Sequence, residues 1–480
     1  MLGRTRHVHF VGIGGIGMSG IAELLVNLGY RVSGTDVRAS DLTRRLGELG
    51  VTVHEGHHAS RIEGADVVVV SSAIRPDNPE VVEARRRQIP VIPRAEMLAE
   101  LMRLREGIAV AGAHGKTTTT SMIALMLERA GLDPTAVIGG RLSAFGSNAR
   151  LGRGVYMVAE ADESDGSFLK LTPSIAVITN VDREHLEHYG SYEHLLNAFV
   201  EFANRVPFYG AVLLCADDPR LAELRSRITR RVVTYGFESP DRDVAGVDVS
   251  VEPFRGRCTV VHRRPGSSTG ERLGDLTLGV PGRHNLLNAL AAVAVGLELG
   301  VPFDRIQDAL AEFRGAERRF EVLGDAGGVM VVDDYGHHPT EIAAVLAAAR
   351  SCGPSRLVVA FQPHRYTRTK LLLTDFARAL GDADVVVLTE VYAAGEEPIE
   401  GATAGALAML LRQAGRTVSV APTLDDLVGR VAEAVRPGDM VITLGAGSIG
   451  HVGRTLLHAL GSGEGRVHAS PPRDAGGRPS

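Results

Sequence analysis

The chain has 480 residues, 44% of them hydrophobic, and a formal net charge of -5; its length exceeds what one hydrophobic core organises, so two to four globular domains are expected. No apolar run approaches the roughly 18 residues of a membrane-crossing helix, the start lacks a signal-peptide pattern, and slight negative charge with dispersed arginines gives no electrostatic reason to expect nucleic acid. Cys215, Cys258 and Cys352 show no metal-ligand spacing and cannot all be paired, which leads us to expect a cytoplasmic protein with reduced thiols, monomeric or weakly dimeric, acting on small molecules.

Residues 1–93 alternate strand and helix, with strands expected at 7–11, 31–34 and 66–71 and a helix at 18–28. The first strand enters Gly12-Ile13-Gly14-Gly15-Ile16-Gly17, a G-x-G-x-x-G turn, and Asp36 follows 19 residues after Gly17. This is the dinucleotide fingerprint: backbone N–H groups at a helix start receive a diphosphate. A UDP-sugar satisfies that demand as well as NAD does. A nicotinamide oxidoreductase therefore stands as a rival reading at this point.

Prolines at 76, 79, 90 and 93 interrupt the pattern, and a boundary is expected at residue 93. The second segment, 94–313, opens with a strand at 107–111 and the run Gly112-Ala113-His114-Gly115-Lys116-Thr117-Thr118, followed by an amphipathic helix expected at 121–129. Lys116 is one of three lysines against 49 arginines. A chain that uses arginine almost everywhere keeps lysine where a compact ammonium is required, and a phosphate loop is such a place. Backbone N–H groups cradle phosphate, lysine reaches the terminal phosphates, and the next hydroxyl holds Mg2+. Val110 stands where the full pattern has another glycine, so the match is to a shorter variant.

Further strands are expected at 155–159, 175–179, 211–215 and 231–235, with antiparallel hairpins between 243 and 280. Glu160 falls at the carboxyl end of a strand, where carboxylates hold Mg2+ opposite a loop threonine. His185 follows the next strand, and imidazole is an unusual ligand for a hard cation, so the residues alone leave its role open. The third segment, 314–460, again alternates, with strands expected at 329–332, 357–361, 384–388 and 440–444. Asp334, Tyr335, His337 and then His364, Arg365 and Arg368 follow two of these strands and are expected at one sheet end. There the arginines suit a carboxylate or phosphate and the histidines suit proton relay or positioning. Residues 461–480, rich in Gly, Ser, Pro and Arg, are expected to be disordered.

From about 7 to 460 the ordered set of these motifs (112–120, 160–164, 179–189, 284–288, 317–321 and 333–341) resembles the Mur ligase family, ATP-dependent amide-forming enzymes of peptidoglycan precursor synthesis. The resemblance implies an α/β protein of three domains: an N-terminal Rossmann-like domain for a UDP-sugar, a central P-loop ATPase with added antiparallel strands, and a C-terminal Rossmann-like domain. Within the family, the glycine turn and the segment 362–369 are similar to the branch that joins L-alanine to UDP-N-acetylmuramate through an acyl phosphate. The nearest alternative joins a ready-made tripeptide to the same sugar nucleotide.

The resemblance assigns Mg2+ to Thr117, Glu160 and His185, and ATP to residues 112–118 with Asn288, Arg319 and Asp334. It assigns the UDP-sugar to Gly14, Gly15, Gly17, Asp36 and Ser71. Tyr335, His364, Arg365 and Arg368 fall to the amino acid, and Lys116, His185, His337 and Arg365 to catalysis. Two departures stand out. Ala113 replaces the usual loop threonine, and the chain has no lysine between Lys170 and Lys370 to serve as the carbamylated lysine of several members.

Overall fold

A computed structural model describes residues 3–71, 73–142, 147–237, 242–264, 266–267 and 269–461. Except for Gly461, the expected tail lies outside the described residues. The chain divides into two compact units, the first reaching residue 251 and including 255–317, the second running from residue 318.

The first unit holds two sheets. In the N-terminal one, β1 (His7–Val11), β2 (Arg31–Asp36), β3 (Thr52–Glu55), β4 (Val67–Val70) and β5 (Val91–Pro93) are arranged in the order β3-β2-β1-β4-β5, all parallel. Strand order reverses beside β1, whose five residues are all buried. A crevice therefore opens beyond its carboxyl end, where the glycine turn lies. The following helix, Ile16–Asn27, starts two residues earlier than expected, at the turn itself.

The second sheet comprises β6 (Glu106–Ala111), β7 (Thr135–Leu142), β8 (Ser147–Arg150), β9 (Tyr156–Glu160), β10 (Ile175–Ile178), β11 (Ala211–Cys215), β12 (Val232–Phe237), β13 (Val244–Glu252), β14 (Arg255–His262) and β15 (Glu271–Leu278). Its order is β15-β14-β13-β12-β11-β10-β6-β9-β7-β8. β6 is thus flanked by β10 and β9, both parallel to it, with Ala111 level with Ile178 and Val110 with Glu160. The expected antiparallel addition is present as β14 with β15, whereas β13 joins β12 in parallel.

One expectation is corrected here. The helix after the phosphate loop spans Lys116–Arg129, five residues longer at its start than the expected 121–129. Threonines are mediocre helix formers and read as loop, yet Thr117 to Thr120 are all at most 7% exposed in the first turns. Packing overrides their propensity.

In the second unit, β16 (Glu321–Ala326), β17 (Val329–Asp334), β18 (Arg356–Phe361), β19 (Val385–Thr389), β20 (Thr417–Ala421) and β21 (Asp439–Leu444) follow the order β16-β17-β21-β18-β19-β20. Only β16 runs antiparallel. β21 separates β17 from β18 and sets Asp334 and Phe361 level with Leu444, so the two polar segments leave one sheet end. β17 continues through Asp333 and Asp334, which were expected just beyond it. The expected fold class, α/β with Rossmann-like ends and a central mixed sheet, is what the chain adopts.

Candidate active site

Gly112 and Gly115 take φ of 133° and 82°, open to glycine and strained for other residues. Space forbids a side chain as well: a Cβ on Gly112 would stand 2.1 Å from Thr179 Oγ1, and one on Gly115 2.7 Å from Asn288 Oδ1. The loop is therefore wedged between the end of β10 and the helix Arg283–Glu298. Asn180 clamps it, accepting from His114 N at 2.8 Å and donating to His114 O at 3.0 Å. Lys116 Nζ donates to Gly112 O at 2.6 Å, Ala113 O at 3.2 Å and Glu163 Oε1 at 2.9 Å.

Burial disfavours the charged form of both Lys116 and Glu163. At Lys116 it is outweighed by the charges of Glu163 and Asp162, so the ammonium is held above its ordinary range. At Glu163 burial outweighs the attraction of Lys116 and pushes the carboxyl up to about 7.

The three expected metal ligands fall on both sides of Lys116. Glu160 Oε1 accepts from Gly139 N at 2.6 Å, and Thr117 Cγ2 stands 3.3 Å from where a Cβ on Gly140 would be. Glu160 and Thr117 thus share one stretch of β7. His185, held at φ 56°, faces Glu163 and Glu184 instead, with Nε2 3.9 Å from an oxygen of each. One donor atom from each of Glu163, Glu184 and His185 lies within 4.8 Å of the others. Neither glutamate was expected as a site residue.

At the other sheet of this unit, Gly12 N and Ile13 N donate to Thr35 O at 2.8 and 2.9 Å, and Ser71 Oγ lies 3.6 Å from a Cβ placed on Gly12. Gly14 N donates to Asp36 Oδ2 at 2.8 Å. The acid that a nicotinamide site reserves for ribose is engaged with the turn itself.

The second unit gathers its own cluster at the ends of β17 and β18. His337 and His364 meet edge to face at 5.7 Å, and the Tyr392 ring stacks on His364 at 5.5 Å and 10°. Arg368 Nη1 lies 3.4 Å from His364 Nδ1. Burial, His337 and the guanidinium groups of Arg368 and Arg365 push His364 down to about 3, so this ring is neutral near pH 7. Tyr335 lies 5.1 Å below the guanidinium groups of both Arg318 and Arg319. Asp334 is occupied structurally: its two oxygens accept from Phe320 N and Gly336 N, each at 2.7 Å. Burial raises its carboxyl to about 6 against the pull of Arg319. Tyr392, 23 residues beyond the 362–369 segment, carried no signal in the sequence.

The pattern described as the catalytic domain of the Mur ligase family matches residues 7–106, the Mur ligase middle domain matches 110–296, and the Mur ligase glutamate ligase domain matches 318–447. A UDP-N-acetylmuramate–L-alanine ligase from Geobacter sp. strain M21 is 55% identical over 462 residues, covering 96% of this chain and 99% of the relative. The chain belongs to the Mur ligase family. Among solved structures, the UDP-N-acetylmuramate-alanine ligase of Thermotoga maritima superposes on this Mur ligase with a TM-score of 0.80 at 32% identity, over 94% of this chain and 98% of the other. A murein peptide ligase from Psychrobacter arcticus gives 0.71 at 25% identity, over 95% and 98%. The first activity thus lies nearer this Mur ligase than the second, in sequence and in backbone.

Proposed function

We propose that this Mur ligase joins L-alanine to the lactyl carboxylate of UDP-N-acetylmuramate, converting ATP to ADP and phosphate. The observation that carries the reading is the row of strand ends β9-β6-β10, which sets Glu160, the Lys116 loop and the 179–185 segment side by side. In this reading residues 1–93 hold the sugar nucleotide, 94–313 hold ATP, and 314–460 bring the amino acid.

The reaction proceeds in two displacements. A carboxylate oxygen attacks the γ-phosphorus as the bond to ADP breaks; the alanine amine then attacks the acyl carbon, loses a proton, and phosphate leaves. Lys116, with the N–H groups of 112–118 and Asn288 beside Gly115, positions the phosphates and opposes the charge that builds on them. Mg2+ held by Thr117, Glu160 and His185 would supply further neutralisation of that charge. The donors fit a hard cation, because Glu163 adds a buried oxygen, Oε2, that has no hydrogen-bond partner among the described residues.

Gly14, Gly15, Gly17, Asp36 and Ser71 form the sugar-nucleotide site. Arg319 and Asp334 serve the nucleotide from the C-terminal domain, Asp334 by shaping the 318–336 backbone. Arg365 and Arg368 orient the alanine carboxylate, with Tyr335, His337 and the neutral His364 as walls. We place the reaction in the cytoplasm; among the described residues no helix is long and apolar enough to cross a membrane.

The test is phosphate release from ATP and Mg2+ with UDP-N-acetylmuramate and L-alanine. Release is expected only when all are present. Release with a tripeptide in place of alanine, and none with alanine, would overturn the proposal in favour of the recycling reaction.

A further inference from the structure

Arg94 is the first residue of the helix Arg94–Met102, following β5. Its side chain reaches the glycine turn of the first sheet: a Cβ on Gly17 would stand 2.5 Å from Nη1 and 3.2 Å from Cζ, so the guanidinium lies against that glycine's backbone. Gly17 is the second residue of the helix Ile16–Asn27. The first N–H groups of a helix have no acceptor within it, and its N-terminus carries partial positive charge. A guanidinium set there adds like charge to like and is unfavourable until an anion joins the pair.

Among the described residues Arg94 makes one hydrogen bond, from Nη2 to Asp162 Oδ2 at 3.3 Å. That contact is long, and the two side chains are 26% and 42% exposed, so it holds the arginine loosely. Most of its five donors are left for a ligand. The turn itself is fixed from the second sheet, where Asn148 Nδ2 donates to Ile16 O at 2.6 Å. Asp162 precedes Glu163, the carboxylate that holds Lys116 at 2.9 Å.

We propose that Arg94 is a binding residue for the sugar nucleotide: its guanidinium takes diphosphate oxygens at the glycine turn, giving up its loose contact with Asp162. This rests on reading the turn as the UDP-sugar site. Gly17 serves the same end, because its missing side chain is what admits the guanidinium.

The experiment is calorimetric titration of the full chain with uridine, UMP and UDP, for wild type, Arg94→Ala and Arg94→Lys. Arg94→Ala is expected to bind uridine as wild type does but UDP about 10- to 100-fold more weakly. Arg94→Lys should fall between, since it keeps charge but loses the fork. In turnover, KM for UDP-N-acetylmuramate should rise by a like factor while kcat stays within a few-fold. Equal weakening of uridine and UDP would mark a packing role and overturn the proposal, as would unchanged UDP affinity in Arg94→Ala. A wild-type chain that binds no UDP would overturn the sugar-nucleotide reading itself, and this inference with it.

Discussion

The glycine turn at 12–17 and the phosphate loop at 112–117 are the same backbone device used twice in one compact unit, and they obtain their cation differently. Each follows a buried strand, β1 or β6, and opens a helix. The phosphate loop contains its cation: Lys116 is the first residue of its own helix and is tied to loop carbonyls and to Glu163. The glycine turn contains none. It borrows Arg94 from a helix 77 residues beyond Gly17, on a contact loose enough to be given up. The surroundings differ in kind: a Cβ on Gly115 would meet an Asn288 oxygen at 2.7 Å, whereas one on Gly17 would meet Arg94 Nη1 at 2.5 Å. A cradle with its own compact ammonium suits terminal phosphates that react; one with a borrowed planar fork suits a diphosphate that is only held.

Removing Mg2+ with a chelator gives the widest separation of the two sites. Turnover is expected to fall to background while UDP affinity, measured by calorimetry, is unchanged. Next comes Lys116→Arg, which keeps the charge and loses the compact ammonium. A fall in kcat of about 100-fold or more is expected in the phosphate-release assay, with UDP affinity retained; near-normal turnover would break the distinction between ammonium and fork.

Gly115→Ala should raise KM for ATP about tenfold or more, because both φ and the Asn288 contact oppose it. Gly29→Ala is the control, at φ 87° with nothing within 4 Å, and should cost about 1 kcal/mol in melting experiments without a change in KM. The smallest effect belongs to Asp36→Asn, which weakens the carboxylate acceptor of Gly14 N. A few-fold change in UDP affinity, with ATP affinity constant, is expected.

Both cradles were legible in the sequence because their residues are consecutive, and strand, glycine and helix write themselves locally. What sequence could not give was the company each keeps. Arg94 reaches Gly17 only because the helix after β5 packs beside the turn, and no spacing announces it. Glu163 and Glu184 converge with His185 because β10 and β9 flank β6, an order that local patterns do not contain. Tyr392 comes to His364 through the pairing of β18 with β19. The strands that went unread, β3, β5, β7, β8, β16 and β20, are three to eight residues long and stand at or beside sheet edges. There half-exposed residues blur the apolar alternation. The early start of the Lys116 helix was hidden by threonine's weak propensity, and packing decided it.

The division of labour between the two cradles is tested most directly by titrating the full chain with MgATP and with UDP in Lys116→Ala and in Arg94→Ala. The account predicts a crossed result: Lys116→Ala loses ATP and keeps UDP, and Arg94→Ala loses UDP and keeps ATP. Loss of both nucleotides together in either variant, with melting temperatures unchanged, would contradict it.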